Sequence, residues 1–172
     1  YNTNIFADCP LLTISEFPDG VTKIASGSYF NCNMADTVTI PSTVTAAKGF
    51  KASSAAAGIK YQGRTDMAMI YSDVPCVAAG TFTTNIVKAA PVKWDRQVVY
   101  ESEHAQAVIC NSGIANACTG VQGMAYCEAT AAKAAEVLGV QKDAVLVAST
   151  GVIGMQLKMD RIEAGIDMLA PA

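Results

Sequence analysis

The chain has 172 residues, of which 51% are hydrophobic and only 16% charged, with a formal net charge of −3. An average soluble domain carries about 25% charged residues, and disorder needs low hydrophobicity and high net charge, so disorder is excluded. The apolar stretches are broken by Asp73, Pro75, Asn85 and Lys88, or by Asn111 and Asn116, short of the roughly 18 residues of a membrane span. The 12 basic residues are scattered singly against 15 acidic ones, which makes no basic stripe for a nucleic acid. The surplus apolar surface has to meet protein, in a large core or against another chain.

Residues 1–33 hold scattered aromatics, Pro10, Pro18 and an Asp19-Gly20 turn, with no sustained period of helix or strand. Met34, followed by Ala35-Asp36-Thr37, looks like a translation start. Two readings stay open: a lead segment 1–33 with the working protein at 34–172, or a methionine inside an ordinary N-terminal arm. Six cysteines (Cys9, Cys32, Cys76, Cys110, Cys118, Cys127) fit a disulfide framework only in a short secreted chain with a signal peptide. No basic region followed by an apolar stretch opens this sequence, so a reducing, cytoplasmic setting with buried free thiols is expected. No Cys-x-x-Cys occurs and the single histidine, His104, lies beyond ligand-like spacing from any cysteine, so no zinc site is expected.

From Val44 onward patterned segments alternate with glycine turns. Thr65 to Ser72 reads as an apolar strand, Asp73-Val74-Pro75 as a turn, and Cys76 to Phe82 as a second strand pairing with the first. Ala105 to Cys110 is a third, apolar enough to be covered on both faces. The run Asn111 to Gly120, rich in Asn, Ser and Gly, is a loop with its own hydrogen bonding. An alanine-rich helix follows over 121–138, with Ala125, Ala131, Ala132, Ala135 and Leu138 on one face and Gly139 as its stop. Ala144 to Ala148 is a fourth strand, and Ile162, Ile166 and Leu169 at i, i+4, i+7 mark a last helix. This order predicts an α/β fold with functional loops at strand ends.

Ala148-Ser149-Thr150-Gly151-Val152-Ile153-Gly154 is the most informative stretch chemically. A buried strand ending in two hydroxyls and a glycine presents a side-chain OH beside backbone N–H groups that no side chain screens. Such donors, fixed where a carbonyl oxygen becomes negative, are worth around 3 kcal/mol each in acyl transfer. A tight turn with Thr150 capping the next element explains the same residues. For the Asn111–Gly120 loop, packing outweighs phosphate binding, because no Gly-x-x-x-x-Gly-Lys or Gly-x-Gly-x-x-Gly is present and Asn side chains can satisfy loop backbone. A nucleophile is missing: His104 and Cys110 stand about 20 Å apart along one strand, and no Gly-x-Ser-x-Gly elbow occurs. Asp66, Asp73 and Asp143 border strands as turn caps rather than general acids.

Three collinear stretches carry a specific resemblance: Val44 to Phe50 with Ser72 to Pro75 and Ala79 to Asn85; Asn111-Ser112-Gly113 through Asn116 to Gly120; and Ala148 to Gly154. With these the chain resembles the bifunctional ornithine acetyltransferase/glutamate N-acetyltransferase family of arginine biosynthesis, over about residues 44–169. The resemblance implies an α/β layered mixed-sheet sandwich of the DmpA/ArgJ-like type, incomplete without the C-terminal (β-chain) part. It implies a precursor that cuts itself before a threonine, which then carries acetyl from N-acetylornithine to glutamate in a ping-pong cycle. It also implies no metal or cofactor, an α2β2 heterotetramer in the cytoplasm and, in bifunctional members, acetyl-CoA as a further donor. Thr150, through its hydroxyl, and Gly151, through its N–H, correspond to that family's oxyanion hole. Two departures stand out. Position 114 is Ile where the family loop usually has Asn, and Ala172 comes too soon after Gly151 for the usual cleavage point, which marks the chain as a fragment or part of a larger precursor. The rival readings are a related self-cleaving acyl hydrolase or aminopeptidase, and a non-catalytic α/β subunit. Deleting residues 1–33 tests the Met34 start: the expected product is soluble and folded by circular dichroism, and loss of soluble folding removes that start.

Overall fold

The structure, a computed structural model, describes residues 13–16, 33–39, 47–102 and 104–170. The chain divides into two compact units, residues 1–48 and 49–172. In the first unit a strand β1 (Thr13–Glu16) pairs in parallel with β2 (Asn33–Thr39), Thr13 opposite Asn33 and Ile14 opposite Met34. β1 falls in the lead stretch, where four residues are too few to show a period. Pro10, Pro18, the Asp19-Gly20 turn, Cys9, Cys32 and residues 44–46 lie outside the described residues.

The second unit is built on a four-stranded sheet in the order β3 (Phe50–Ala55), β4 (Met67–Cys76), β5 (Ala105–Asn111), β6 (Val145–Ser149). β3–β4 and β4–β5 are antiparallel and β5–β6 parallel. Parallel neighbours need a long crossover, and helix α2 (Gly120–Leu138) supplies it. Helix α1 (Ala90–Glu101) joins β4 to β5, and α3 (Met159–Leu169) follows β6. The α/β class is as the order of elements predicts, and the mixed sheet is as the resemblance implies.

The helices cover one sheet face. Met67, Met69, Ala107, Ile109, Val145 and Val147 share a buried core with Trp94, Val98, Ala131, Ala134, Ile162, Ile166 and Leu169. Burying each large aliphatic side chain contributes about 1.5–3 kcal/mol, and the i, i+4, i+7 spacing of α3 delivers three of them. At Gly165 a Cβ would fall on the Met67 sulfur, so only glycine lets α3 rest this closely on β4.

The details differ from expectation in four places. Residues 77–89 form no strand; β4 runs through to Cys76, and Asp73-Val74-Pro75 is a bulge within it, since Tyr71 faces Ala107 while Cys76 faces Ala105. Ser72 builds that bulge, its hydroxyl donating to the Val74 carbonyl at 2.7 Å. β5 is buried on one face only, with Gln106, Val108 and Cys110 half-buried on the other. The buried face of α2 is Gly123, Cys127, Thr130, Ala131, Ala134 and Ala135, while Ala125 and Ala132 are exposed. Alanines all round the helix blur its period, and Thr130 can go inside because its hydroxyl donates to the Tyr126 carbonyl at 2.7 Å. Of the four described cysteines, all free, only Cys127 is buried, Cys118 being exposed.

β6 is an edge strand, and an uncovered edge invites wrong pairing. Two consecutive side chains of α1 close it: Trp94 Nε1 donates to the Val145 carbonyl at 2.9 Å, and the Val147 N–H donates to Asp95 Oδ1 at 2.9 Å. Burial pushes the Asp95 carboxyl up to about 6, the Val147 hydrogen bond pulling only part of the way back. The folded state therefore holds this proton where the unfolded chain, at 3.8, has lost it. The contribution of Asp95 falls as pH rises from about 4 to about 6 and stays low above that. In thermal unfolding across this window, Asp95→Asn, whose Oδ1 still accepts from Val147, is expected to gain on the parent protein as pH rises and to level off above about pH 6; a constant difference overturns the assignment.

Candidate active site

Thr150 and Gly151 follow directly on β6, at the end of the sheet where β5 runs into Asn111-Ser112-Gly113. Sequence reasoning found both loops, and the structure brings them together. The Thr150 N–H donates to the Asn111 carbonyl at 3.0 Å, the Val152 N–H to the Gly113 carbonyl at 3.1 Å, and the Ala115 N–H to the Val152 carbonyl at 3.0 Å. The parallel ladder thus continues beyond the strands, with Ile114 bridged to Val152. Between the bonded N–H groups of Thr150 and Val152, that of Gly151 makes no backbone hydrogen bond among the described residues.

Gly151 has φ +125°. A Cβ there would fall on the Gly113 carbonyl carbon and 2.7 Å from the Ile114 nitrogen, so glycine is required for space as well as conformation. Thr150 and Gly151 are both exposed. Thr150 caps no helix: α3 begins at Met159 with Lys158 as its N-cap. A cavity of about 310 Å³ opens beside Thr150, lined by Thr65, Asp66, Met67, Ala68, Cys110, Asn111, Ser112 and Ala148. Thr150 borders this space, and the Gly151 N–H follows it in the chain.

The other polar groups at this end are structural. Both Asp66 oxygens are occupied, accepting from the Ala57 and Ile59 N–H groups at 2.7 Å each, while its carbonyl accepts from the Ser112 N–H at 2.8 Å. Asp73 pairs with Lys51 at 2.9 Å on the surface, and Asp143 lies in a short 3-10 helix, Lys142–Ala144. Burial, with the Asp95 charge second, pushes the Cys110 thiol up, away from the thiolate a nucleophile needs. His104 precedes β5, at the strand end away from Thr150. Among the described residues the buried Ser149 hydroxyl has no hydrogen-bond partner. Among the described residues no three His, Cys, Asp or Glu side chains cluster as metal ligands.

The Asn-rich loop packs as expected. Asn111 Nδ2 donates to the Ile114 carbonyl at 3.0 Å. Ile114 is fully buried in the core, so the apolar side chain at this position is held by packing. Asn116, with φ +48° and fully buried, ties its own loop to helices α1 and α2. Its carbonyl accepts from the Ala90 N–H at the start of α1, its Nδ2 donates to the Gly123 carbonyl at 2.9 Å and to Cys127 Sγ, and its Oδ1 accepts from Thr119 at 2.8 Å. Burial pushes the Cys127 thiol up to about 12, Asp95 adding to the shift and Asn116 opposing it. Asn116→Ala strands buried polar groups on both sides, and is expected to cost about 2–3 kcal/mol in urea unfolding; a loss below about 1 kcal/mol would show that the network is not needed.

A family model for the ArgJ family matches residues 51–172. The arginine biosynthesis bifunctional protein ArgJ of Gloeobacter violaceus is 48% identical over 139 residues, 81% of this chain and 34% of that protein. Its counterpart in Symbiobacterium thermophilum is 53% identical over 131 residues, 75% of this chain and 32% of that one. The chain therefore spans about a third of the length of these relatives. Among solved structures, ornithine acetyltransferase complexed with ornithine from Mycobacterium tuberculosis is similar at 45% identity and a TM-score of 0.69, over 73% of this chain and 67% of that one. The Bacillus halodurans arginine biosynthesis bifunctional protein ArgJ matches at 42% identity and the same TM-score, over 73% of this chain and 65% of that one. Sheet order, joined loops and these matches agree: the chain belongs to the ArgJ family.

Proposed function

We propose that this chain is the oxyanion-bearing part of an amino-acid acetyltransferase that moves acetyl from N-acetylornithine to glutamate in arginine biosynthesis. The observation that carries the reading is the exposed Thr150 beside a cavity at the joined strand ends, followed by the Gly151 N–H, which makes no backbone hydrogen bond among the described residues. It is supported by membership of a family whose relatives are named for arginine biosynthesis, and by likeness to an ornithine-bound acetyltransferase.

In this scheme a threonine from the part of the protein beyond this chain attacks the acetyl carbonyl. The carbonyl π electrons move onto oxygen, and the resulting oxyanion is held by the Thr150 O–H and the Gly151 N–H. Collapse of the tetrahedral species breaks the C–N bond; the departing nitrogen takes a proton, ornithine leaves, and an acetyl ester stays on the threonine. Attack by the glutamate amine repeats the sequence in reverse and frees N-acetylglutamate. In a bifunctional member acetyl-CoA supplies the same ester with a thiol as leaving group. No metal or cofactor takes part.

The partner is the β chain of the same precursor, assembled as α2β2. Its docking surface is the sheet face that the helices leave bare, where Ala52, Ile70, Val108 and Leu146 form a continuous row across four strands. Ile70 is 47% exposed there, and Val108 and Leu146 are half-buried. The segment after β4 adds Val77 and Ile86, at 85% and 95% exposure. Aliphatic side chains this open favour burial against another protein surface, and about two thirds of each relative's length lies outside the match. The protein works in the cytoplasm; among the described residues no helix is long and apolar enough to cross a membrane.

In the complete gene product Thr150→Ala is expected to lower kcat for acetyl transfer to glutamate by roughly 100-fold or more. Unchanged turnover would favour a non-catalytic subunit, and release of free acetate without transfer would favour a hydrolase.

A further inference from the structure

The hole rests on a stack of close backbone contacts that begins outside both loops of the site. Gly151 lies on the Gly113–Ile114 peptide, with no room for a Cβ between them. Gly113 in turn lies under Lys60: a Cβ on Gly113, where φ is +101°, would stand 2.9 Å from the Lys60 Cβ and 3.9 Å from its Cδ. Lys60 is itself held. The preceding Ile59 is fully buried and gives its N–H to Asp66 Oδ2 at 2.7 Å, and the Lys60 ammonium lies 4.8 Å from the centre of the Tyr61 ring. Asp66 also carries, on its carbonyl, the N–H of Ser112, the residue before Gly113. One carboxylate residue thus sets both sides of the Lys60–Gly113 contact.

We propose that Gly113 is a positioning residue for the Thr150–Gly151 hole, its peptide being the surface that places the Gly151 N–H, with the Lys60 Cβ as the stop that keeps this peptide from retreating. The inference rests on the acetyl-transfer reading of the site and assigns these residues no contact with substrate. Its physical basis is that a hole accelerates reaction only while its donors stay about 2.7–3.1 Å from where the oxyanion forms, and a misplacement of 1 Å can cost about 100-fold. A methyl on Gly113 meets the Lys60 Cβ, and relieving that contact shifts the peptide on which Gly151 lies. Removing the Lys60 Cβ instead lets the peptide move away.

The test uses the complete gene product. Gly113→Ala is expected to lower kcat about 10- to 100-fold with KM for N-acetylornithine within threefold. Lys60→Gly, at an exposed position that spares the fold, is expected to lower kcat about 3- to 10-fold, again with KM within threefold. Lys60→Ala keeps the supporting Cβ but loses the charge, and should retain several-fold more turnover than Lys60→Gly. The proposal is overturned if KM rises in place of a fall in kcat, or if Lys60→Gly matches Lys60→Ala. If Gly113→Ala fails to fold, the Lys60 pair decides alone. Full activity in Thr150→Ala itself would sink the acetyl-transfer reading instead, and is read in the same assay.

Discussion

The pairing of β5 with β6 continues past the point where the strands end, and the site depends on that continuation. Three backbone hydrogen bonds tie residues 111–115 to residues 150–152, in the alternating pattern of a parallel ladder. In such a pattern every second N–H faces away from the partner strand. At Gly151 that N–H falls where the chain has turned to φ +125°, leaving a donor with rigid neighbours and no backbone partner of its own. Preorganisation of this kind avoids reorganisation during reaction, because the bonds on either side are already made.

Holding two loops in register requires fixed points behind them. Asp66 secures the near side by accepting two backbone N–H groups from residues 57–59 on its carboxylate. Asn116 secures the far side, tying the start of α1 to the first turns of α2. Both are polar groups placed where water is scarce, Asp66 satisfied by backbone N–H groups and Asn116 by the Gly123 carbonyl, the Cys127 sulfur and the Thr119 hydroxyl, so their desolvation is offset and their geometry leaves little freedom. Trp94 and Asp95 then close the outer edge of β6, so the strand leading into Thr150 is restrained along both edges.

Much of this was legible in the residues, because the strong signals are local. The apolar run at 105–110, the Asn- and Gly-rich loop, a helix stopped by Gly139 and the Ser149-Thr150-Gly151 turn together define a strand–helix–strand unit. Gly139 does end α2, at φ +69° with its N–H bonded to the Ala135 carbonyl. Helix α1 escaped notice although Pro91 in its first turn and the Trp94–Val98 spacing point to it. β3 offers almost no signal, since Phe50-Lys51-Ala52-Ser53-Ser54-Ala55 buries only Ala55 and forms an edge. The Asp73–Pro75 segment was read as a turn between strands because a bulge uses the same residues. The Lys60–Gly113–Gly151 stack could not be read at all: its members are far apart in sequence, and the contact exists only once Asp66 has brought the loops together.

The surplus of apolar residues resolves into two populations with different roles. One is the helix-facing core, where side chains such as Ile109, Val145, Ile162 and Ile166 are 0–1% exposed. The other is the bare sheet face and the segment after β4, where Ile70, Val77 and Ile86 stay open. These two faces alternate along the same strands, so a residue contributing to the core is always followed by one pointing to the bare side. Cys110 and Ala148 lie on that bare side and line the cavity beside Thr150. Whatever covers the bare face therefore also forms the missing wall of the site. On the acetyl-transfer reading, a nucleophile carried on a surface that covers this face would arrive beside Thr150 and Gly151, which couples assembly to completion of the chemistry.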